Sequence, residues 1–256
     1  MLCRKMRSTL LTAGMAAFFF GGPGLILESW ALSLNEKKEI ALEITQLFRS
    51  ARAVISEYQQ EINDSDIGDK NLPPEKVIEE AKQHYERDTG KEFRLADGAS
   101  LKGVGQKAML NAIDEVMSNA QPLINERGRG YKGFLPAVFA RLVADRFNRL
   151  MKQKAFIKLT APNKYIRNRS NQPDRWEASI IDNKFGKTRS SEEKPFVEET
   201  RHRGRSAFRL IIPEYYNKTC LPCHGGNRNE RDITGARKEG GKLGELGGAI
   251  SFVIYN

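Results

Sequence analysis

The apolar residues of this chain change their period once, near residue 154, and that change constrains the fold more than any other feature. Upstream they recur every three or four positions. From Asn35 to Ile62, the residues Ile40, Ile44, Leu47, Phe48, Ala51, Ile55 and Tyr58 share one face of a long helix that Asn35 can cap. Further helices are expected from Pro74 to Gly90, from about Val104 to Asn119, and from about Pro136 to Gln153. The last of these carries Val138, Phe139, Leu142, Val143, Phe147, Leu150 and Met151 on one side. Asn63 to Pro74 is a polar linker ending in a proline pair. Downstream the period falls toward two. Ala155–Thr160, Pro195–Thr200, Ser206–Ile212 and Gly248–Tyr255 read as strands, and Trp176–Phe185 suits a short helix. The simplest architecture is α+β: a small antiparallel sheet with long N-terminal helices packed beside it. Residues 34–256 then form one domain, mostly helical over 34–153 and sheet-forming over 154–256. There is no internal repeat.

Residues 1–33 stand apart. Arg4, Lys5 and Arg7 precede an uncharged, mostly apolar stretch from Ser8 to Leu27, interrupted by Gly21, Gly22, Pro23 and Gly24. Ser29-Trp30-Ala31 or Ala31-Leu32-Ser33 places small residues at the −3 and −1 positions of a cleavage site. This is the three-part layout of a secretory signal peptide and implies a periplasmic protein. The alternative is an uncleaved membrane anchor, since about 20 uncharged residues can span a bilayer; the Gly/Pro interruption favours processing. Cys3 lies ahead of the apolar run and leaves with the leader, so Cys220 and Cys223 are the only cysteines of the processed chain.

Charge narrows the partners. Lys and Arg number 42 against 32 Asp and Glu, a formal net charge of +10. The basic residues are mixed with acids and never run to five in a row, which describes a solvated surface rather than a groove that tracks phosphates. Nucleic acid is therefore not an expected partner. At 39% hydrophobic and 29% charged, the chain is neither a polytopic membrane protein nor fully disordered.

Cys220-Leu221-Pro222-Cys223-His224 is a C-x-x-C-H motif, the signature of covalent haem attachment. Two thiols three residues apart on one helical turn can add to the two vinyl groups of one haem, and the next residue points an imidazole at the iron. Three other readings fit a C-x-x-C pair. A structural disulfide needs no histidine. A thioredoxin-type redox pair wants a helix start after a strand in a βαβ setting, which this pattern lacks. A closed zinc site needs four ligands, and the spacing of His84, His202 and His224 matches no common zinc pattern. Haem c, one group covalently held, is the cofactor the residues favour. The run Gly235-Ala236-Arg237-Lys238-Glu239-Gly240-Gly241-Lys242-Leu243 fails as a phosphate loop, because Ala236 and Leu243 stand where Gly and Ser or Thr are needed. It reads as a turn-rich link into the last strand.

Several segments, taken in order, resemble the Tll0287-like (DUF3365) c-type haem domains, which have a PAS-like fold. They are Lys158-Leu159-Thr160-Ala161-Pro162-Asn163 with Asn171-Gln172-Pro173-Asp174-Arg175-Trp176-Glu177, then Pro213-Glu214-Tyr215-Tyr216 leading into Cys220–Gly225, then Gly244-Glu245-Leu246-Gly247-Gly248-Ala249-Ile250-Ser251. The N-terminal helix and Phe134-Leu135-Pro136 also fit, so the resemblance covers most of Leu42 to Val253. It implies a single haem beside a small antiparallel sheet, with Cys220 and Cys223 as thioether residues and His224 as the proximal ligand. It also implies electron transfer, or redox or ligand sensing. The distal ligand does not carry over, because residues 35–62 contain no Cys, Met or His. Three readings stay open: an open or water-bound iron; a thioether from Met109, Met117 or Met151; an imidazole from His84 or His202. Arg201, Arg203, Arg205 and Arg209 precede the motif and are candidates to pair with the propionates.

Two functions compete at this point. One is an exported one-electron carrier that meets a redox partner. The other is a haem-based redox or gas sensor that signals through a partner protein, with pairing of two copies through the N-terminal helix also open. No acid/base or nucleophile constellation is visible, so an enzyme is not expected.

Overall fold

The structure, a computed structural model, describes residues 32–187 and 194–256. The leader expected over 1–33 lies almost wholly outside the described residues. Five helices come first: α1 (Leu34–Glu57), α2 (Gln59–Asn63), α3 (Pro74–Thr89), α4 (Leu101–Ile124) and α5 (Pro136–Met151). Strands β1 (Ala155–Thr160), β2 (Phe196–His202), β3 (Arg205–Tyr215) and β4 (Leu246–Tyr255) follow, with helix α6 (Arg175–Asn183) between β1 and β2 and the one-turn α7 (Leu221–His224) between β3 and β4. The fold is the expected α+β arrangement.

The sheet has the order β1-β4-β3-β2 and every pairing is antiparallel. The last strand thus lies in the middle, between the first and the third. Register sorts the side chains by face. Phe208, Leu210 and Ile212 of β3 stand opposite Ile254, Phe252 and Ile250 of β4, and this face meets the helices, with Phe147 of α5 against Phe252 at 6.0 Å. The other face carries Ile211 and Ala249, which join Ile180, Ile181 and Phe185 in a second core under α6. Arg203 and Gly204, both at positive φ, make the tight turn between β2 and β3.

Several helix ends differ from expectation: the helix expected to run unbroken to Ile62 stops at Glu57, and Gln59–Asn63 is a separate short helix. The N-cap of α1 is Ser33, not Asn35. The Ser33 hydroxyl accepts from the Glu36 amide, and the Glu36 carboxylate accepts from the Ser33 amide at 2.8 Å, a reciprocal box that Asn35 cannot make from inside the first turn. Helix α4 runs past Asn119 and through Pro122 to Ile124, because Ala120 and Ile124 are buried in the helical core.

Helix α1 runs the length of the sheet. Lys37, at its start, reaches Glu199 at 3.0 Å and Asn256 at 2.7 Å, beside the β2–β3 hairpin. Arg49, two-thirds of the way along, donates to Glu214 at 2.6 Å, and Ser56 donates to Thr219 at 3.3 Å, just ahead of the cysteine motif. Hairpin and motif therefore lie at opposite ends of the sheet.

Candidate functional site

The segment between β3 and β4 is closed at its base. Tyr216 donates from its amide to Glu245 O at 2.8 Å, and Gly244 returns a bond to Tyr216 O at 2.8 Å. Asn217 then shapes the entry to the motif. Its Oδ1 accepts from the amides of Thr219 at 3.0 Å and Cys220 at 3.2 Å, and from the Cys220 thiol at 3.1 Å. Pro222 sits in the first turn of α7, where its missing N–H costs nothing. His224 N bonds Cys220 O at 3.0 Å and Gly225 N bonds Leu221 O at 2.8 Å. Two free, partly buried thiols and one imidazole thus share a single helical turn.

His224 is held from two sides. Its ring stacks on Tyr216, 5.3 Å between centroids and 21° from parallel. Its Nδ1 lies 2.9 Å from Glu239 Oε2, while Nε2 makes no hydrogen bond among the described residues. The Tyr216 ring is wedged between glycines: a Cβ at Gly241 or Gly247 would lie 2.4 Å from it. Only residues without a side chain allow so close an approach.

Glu239 is anchored in turn by Arg167, from the loop after β1. Arg167 Nη2 donates to Glu239 Oε2 at 2.8 Å and to Cys223 O at 3.0 Å, and Nε bonds Glu239 Oε1. Nη1 bonds Asp232, whose Oδ1 also accepts from Thr234 N at 2.8 Å. Burial pushes both carboxyls up, but the bonds they accept outweigh it. Glu239, bonded by Arg167 and His224, stays below the usual carboxylate range. Asp232, bonded by Thr234 and Arg167, falls to about 2. Burial, with Asp232 nearby, raises the Cys223 thiol.

The wall formed by α1 is cationic. Arg49 and Arg52 share the carboxylate of Glu214, and Arg49 also donates to Pro213 O at 3.0 Å. Burial and the neighbouring Arg49 lower Arg52 to about 10.

A family model for Tll0287-like proteins matches residues 33–254, from the cap of α1 almost to the end of β4. The chain belongs to the Tll0287-like family. Searches of curated proteins and of solved structures each found no match. Among the described residues of this Tll0287-like chain, no helix is long and apolar enough to cross a membrane.

The fold separates residues that lie close in the sequence. His202 pairs with Arg205 at the hairpin, and the strand from there to Tyr215 spans about 30 Å. It cannot reach the iron of a haem held at α7; it is buried, with Nδ1 2.6 Å from the Tyr255 hydroxyl. The same distance removes Arg201, Arg203 and Arg205 as propionate partners. Arg203 lies over Phe156 and Arg205 over Tyr255. Arg209 is buried under α6, 2.7 Å from Asp174. His84 is buried 3.3 Å from Glu57, on a side of α1 roughly 100° around from Ser56. Met109, Met117 and Met151 are fully buried in the helical core. Pattern reading missed Tyr216, Glu239, Arg167 and Asp232. Tyr216 stands in a segment that carried the family resemblance, whereas nothing local marks the other three.

Proposed function

We propose that this Tll0287-like chain binds one haem c through Cys220 and Cys223, with His224 as proximal ligand, and serves as an exported one-electron carrier. The observation that carries the reading is the single turn of α7, with two free thiols and an imidazole whose plane and Nδ1 are already held. Each thiol would form one S–C bond to a vinyl carbon and deliver its hydrogen to the adjacent carbon. His224 would offer Nε2. When bound, the haem supplies a one-electron ferric/ferrous couple. The motif is only partly buried, which suits contact with a redox partner. Export fits, because thioether attachment takes place outside the cytoplasm. In this reading the chain turns over no substrate and is not an enzyme.

One observation favours the second reading, a ligand-sensing module. The side of α1 that meets the loop presents Arg49, Arg52 and Ser56, with no sulfur or imidazole to close the iron. Two measurements decide. Produced in a host with cytochrome-maturation machinery, the protein should gain the mass of one haem, and the double variant Cys220→Ser/Cys223→Ser should gain none. A wild type at bare polypeptide mass overturns the proposal. Rapid CO binding to the reduced protein would favour the sensor over the carrier.

A further inference from the structure

We infer that Glu239 is the positioning residue of the proximal side: its carboxylate takes the Nδ1 proton of His224 in a hydrogen bond and so commits Nε2, with its lone pair, to the haem. This rests on the haem reading above. Two contacts converge on the imidazole and a third holds the backbone of His224. The Nδ1–Oε2 distance is 2.9 Å, and a carboxylate can only accept, so the proton of a neutral ring lies on Nδ1. The Tyr216 stack fixes the ring plane. The Gly241 amide donates to His224 O at 2.8 Å and fixes the backbone behind it.

Glu239 is itself held in place. Arg167 meets both of its oxygens as a fork. Its backbone carbonyl accepts from Arg228 Nε at 2.8 Å. Arg167 also bonds the carbonyl of Cys223, so one guanidinium ties the acceptor to the attachment turn. A ligating histidine that gives its second N–H to a carboxylate is a stronger donor than one bonded to a neutral group. Glu239 therefore favours the ferric state and lowers the reduction potential.

The test is Glu239→Gln, which keeps shape and removes the charge. The haem-loaded variant should keep its covalent haem and shift at least tenfold toward the reduced form, about 59 mV for one electron. A potential within twofold of wild type in this equilibrium overturns the inference. So does a folded variant that takes no haem, because a positioning role leaves thiol attachment intact. A second readout needs no haem. Nitrogen-15 shifts of His224 in the unloaded chain should show the Nδ1–H tautomer in wild type and lose that preference in Glu239→Ala. An Nε2–H wild type overturns the inference, whatever the potential does. A wild type that gains no haem removes the function and this inference together, and the tautomer then reports whether the Glu239 contact itself was right.

Discussion

Arg209, in the middle of β3, donates to Asp174 Oδ2 at 2.7 Å and so ties the sheet to the N-cap of α6. The guanidinium also lies over Trp176 at 4.1 Å and near Glu177, which is 1% exposed and paired with Lys158 at 2.9 Å. Helix α6 is thereby fastened at its charged start as well as through Ile180 and Ile181.

Arg209→Ala should destabilise the fold by about 3 kcal/mol, because it removes one partner from a buried charge cluster and leaves a cavity beside Trp176. Denaturant unfolding reads it. A loss under about 1 kcal/mol would mean that Lys158 alone compensates the acids.

Ser33→Ala removes the acceptor for the Glu36 amide in the capping box. The expected cost is about 1 kcal/mol. Asn35→Ala, inside the first turn, should cost much less. Equal effects would place the cap elsewhere.

Acid should weaken the hairpin end first. Burial, then the positive Arg209 and Arg203, lower His202 from 6.5 to about 4. The unfolded chain therefore binds a proton between these values that the folded chain refuses. The contribution of His202 is complete above about pH 6.5 and declines as the pH falls toward about 4. Unfolding midpoints at several pH values across that window should fall less steeply in His202→Gln than in wild type. Parallel slopes would show that His202 does not titrate this way.

Gly247→Ala sets a Cβ 2.4 Å from the Tyr216 ring and should cost about 1–3 kcal/mol through overpacking. Tyr216→Leu in the same chain should relieve part of that cost, so the two changes would be less than additive. Full additivity would mean that the strain is absorbed by something other than the ring.

Much of the secondary structure was legible because helices and strands write their period locally. β1 falls on Ala155–Thr160 as expected, and α3 begins at Pro74 and ends against Gly90. The ends of α1 and α4 were less legible. A cap is a choice among neighbouring polar residues made by hydrogen-bond geometry, and burial of Ala120 and Ile124 outweighs the local signal of Pro122.

The site divides in the same way. Cys220, Cys223 and His224 lie within five residues, so their meeting on one turn could be read from order alone. Arg167 and Glu239 stand 72 residues apart, and no periodicity links them. They meet because β1 and β4 are neighbours in the sheet, which brings the loops around both strands to one end. The arginines before the motif show the converse. Order placed them near it, and an extended strand carried the hairpin to the far end. The sequence by itself determined which elements form and which turn carries both thiols and the imidazole. Tertiary structure alone decided which charges surround that turn, because long-range pairing of strands, not distance along the chain, sets which side chains share a dielectric environment.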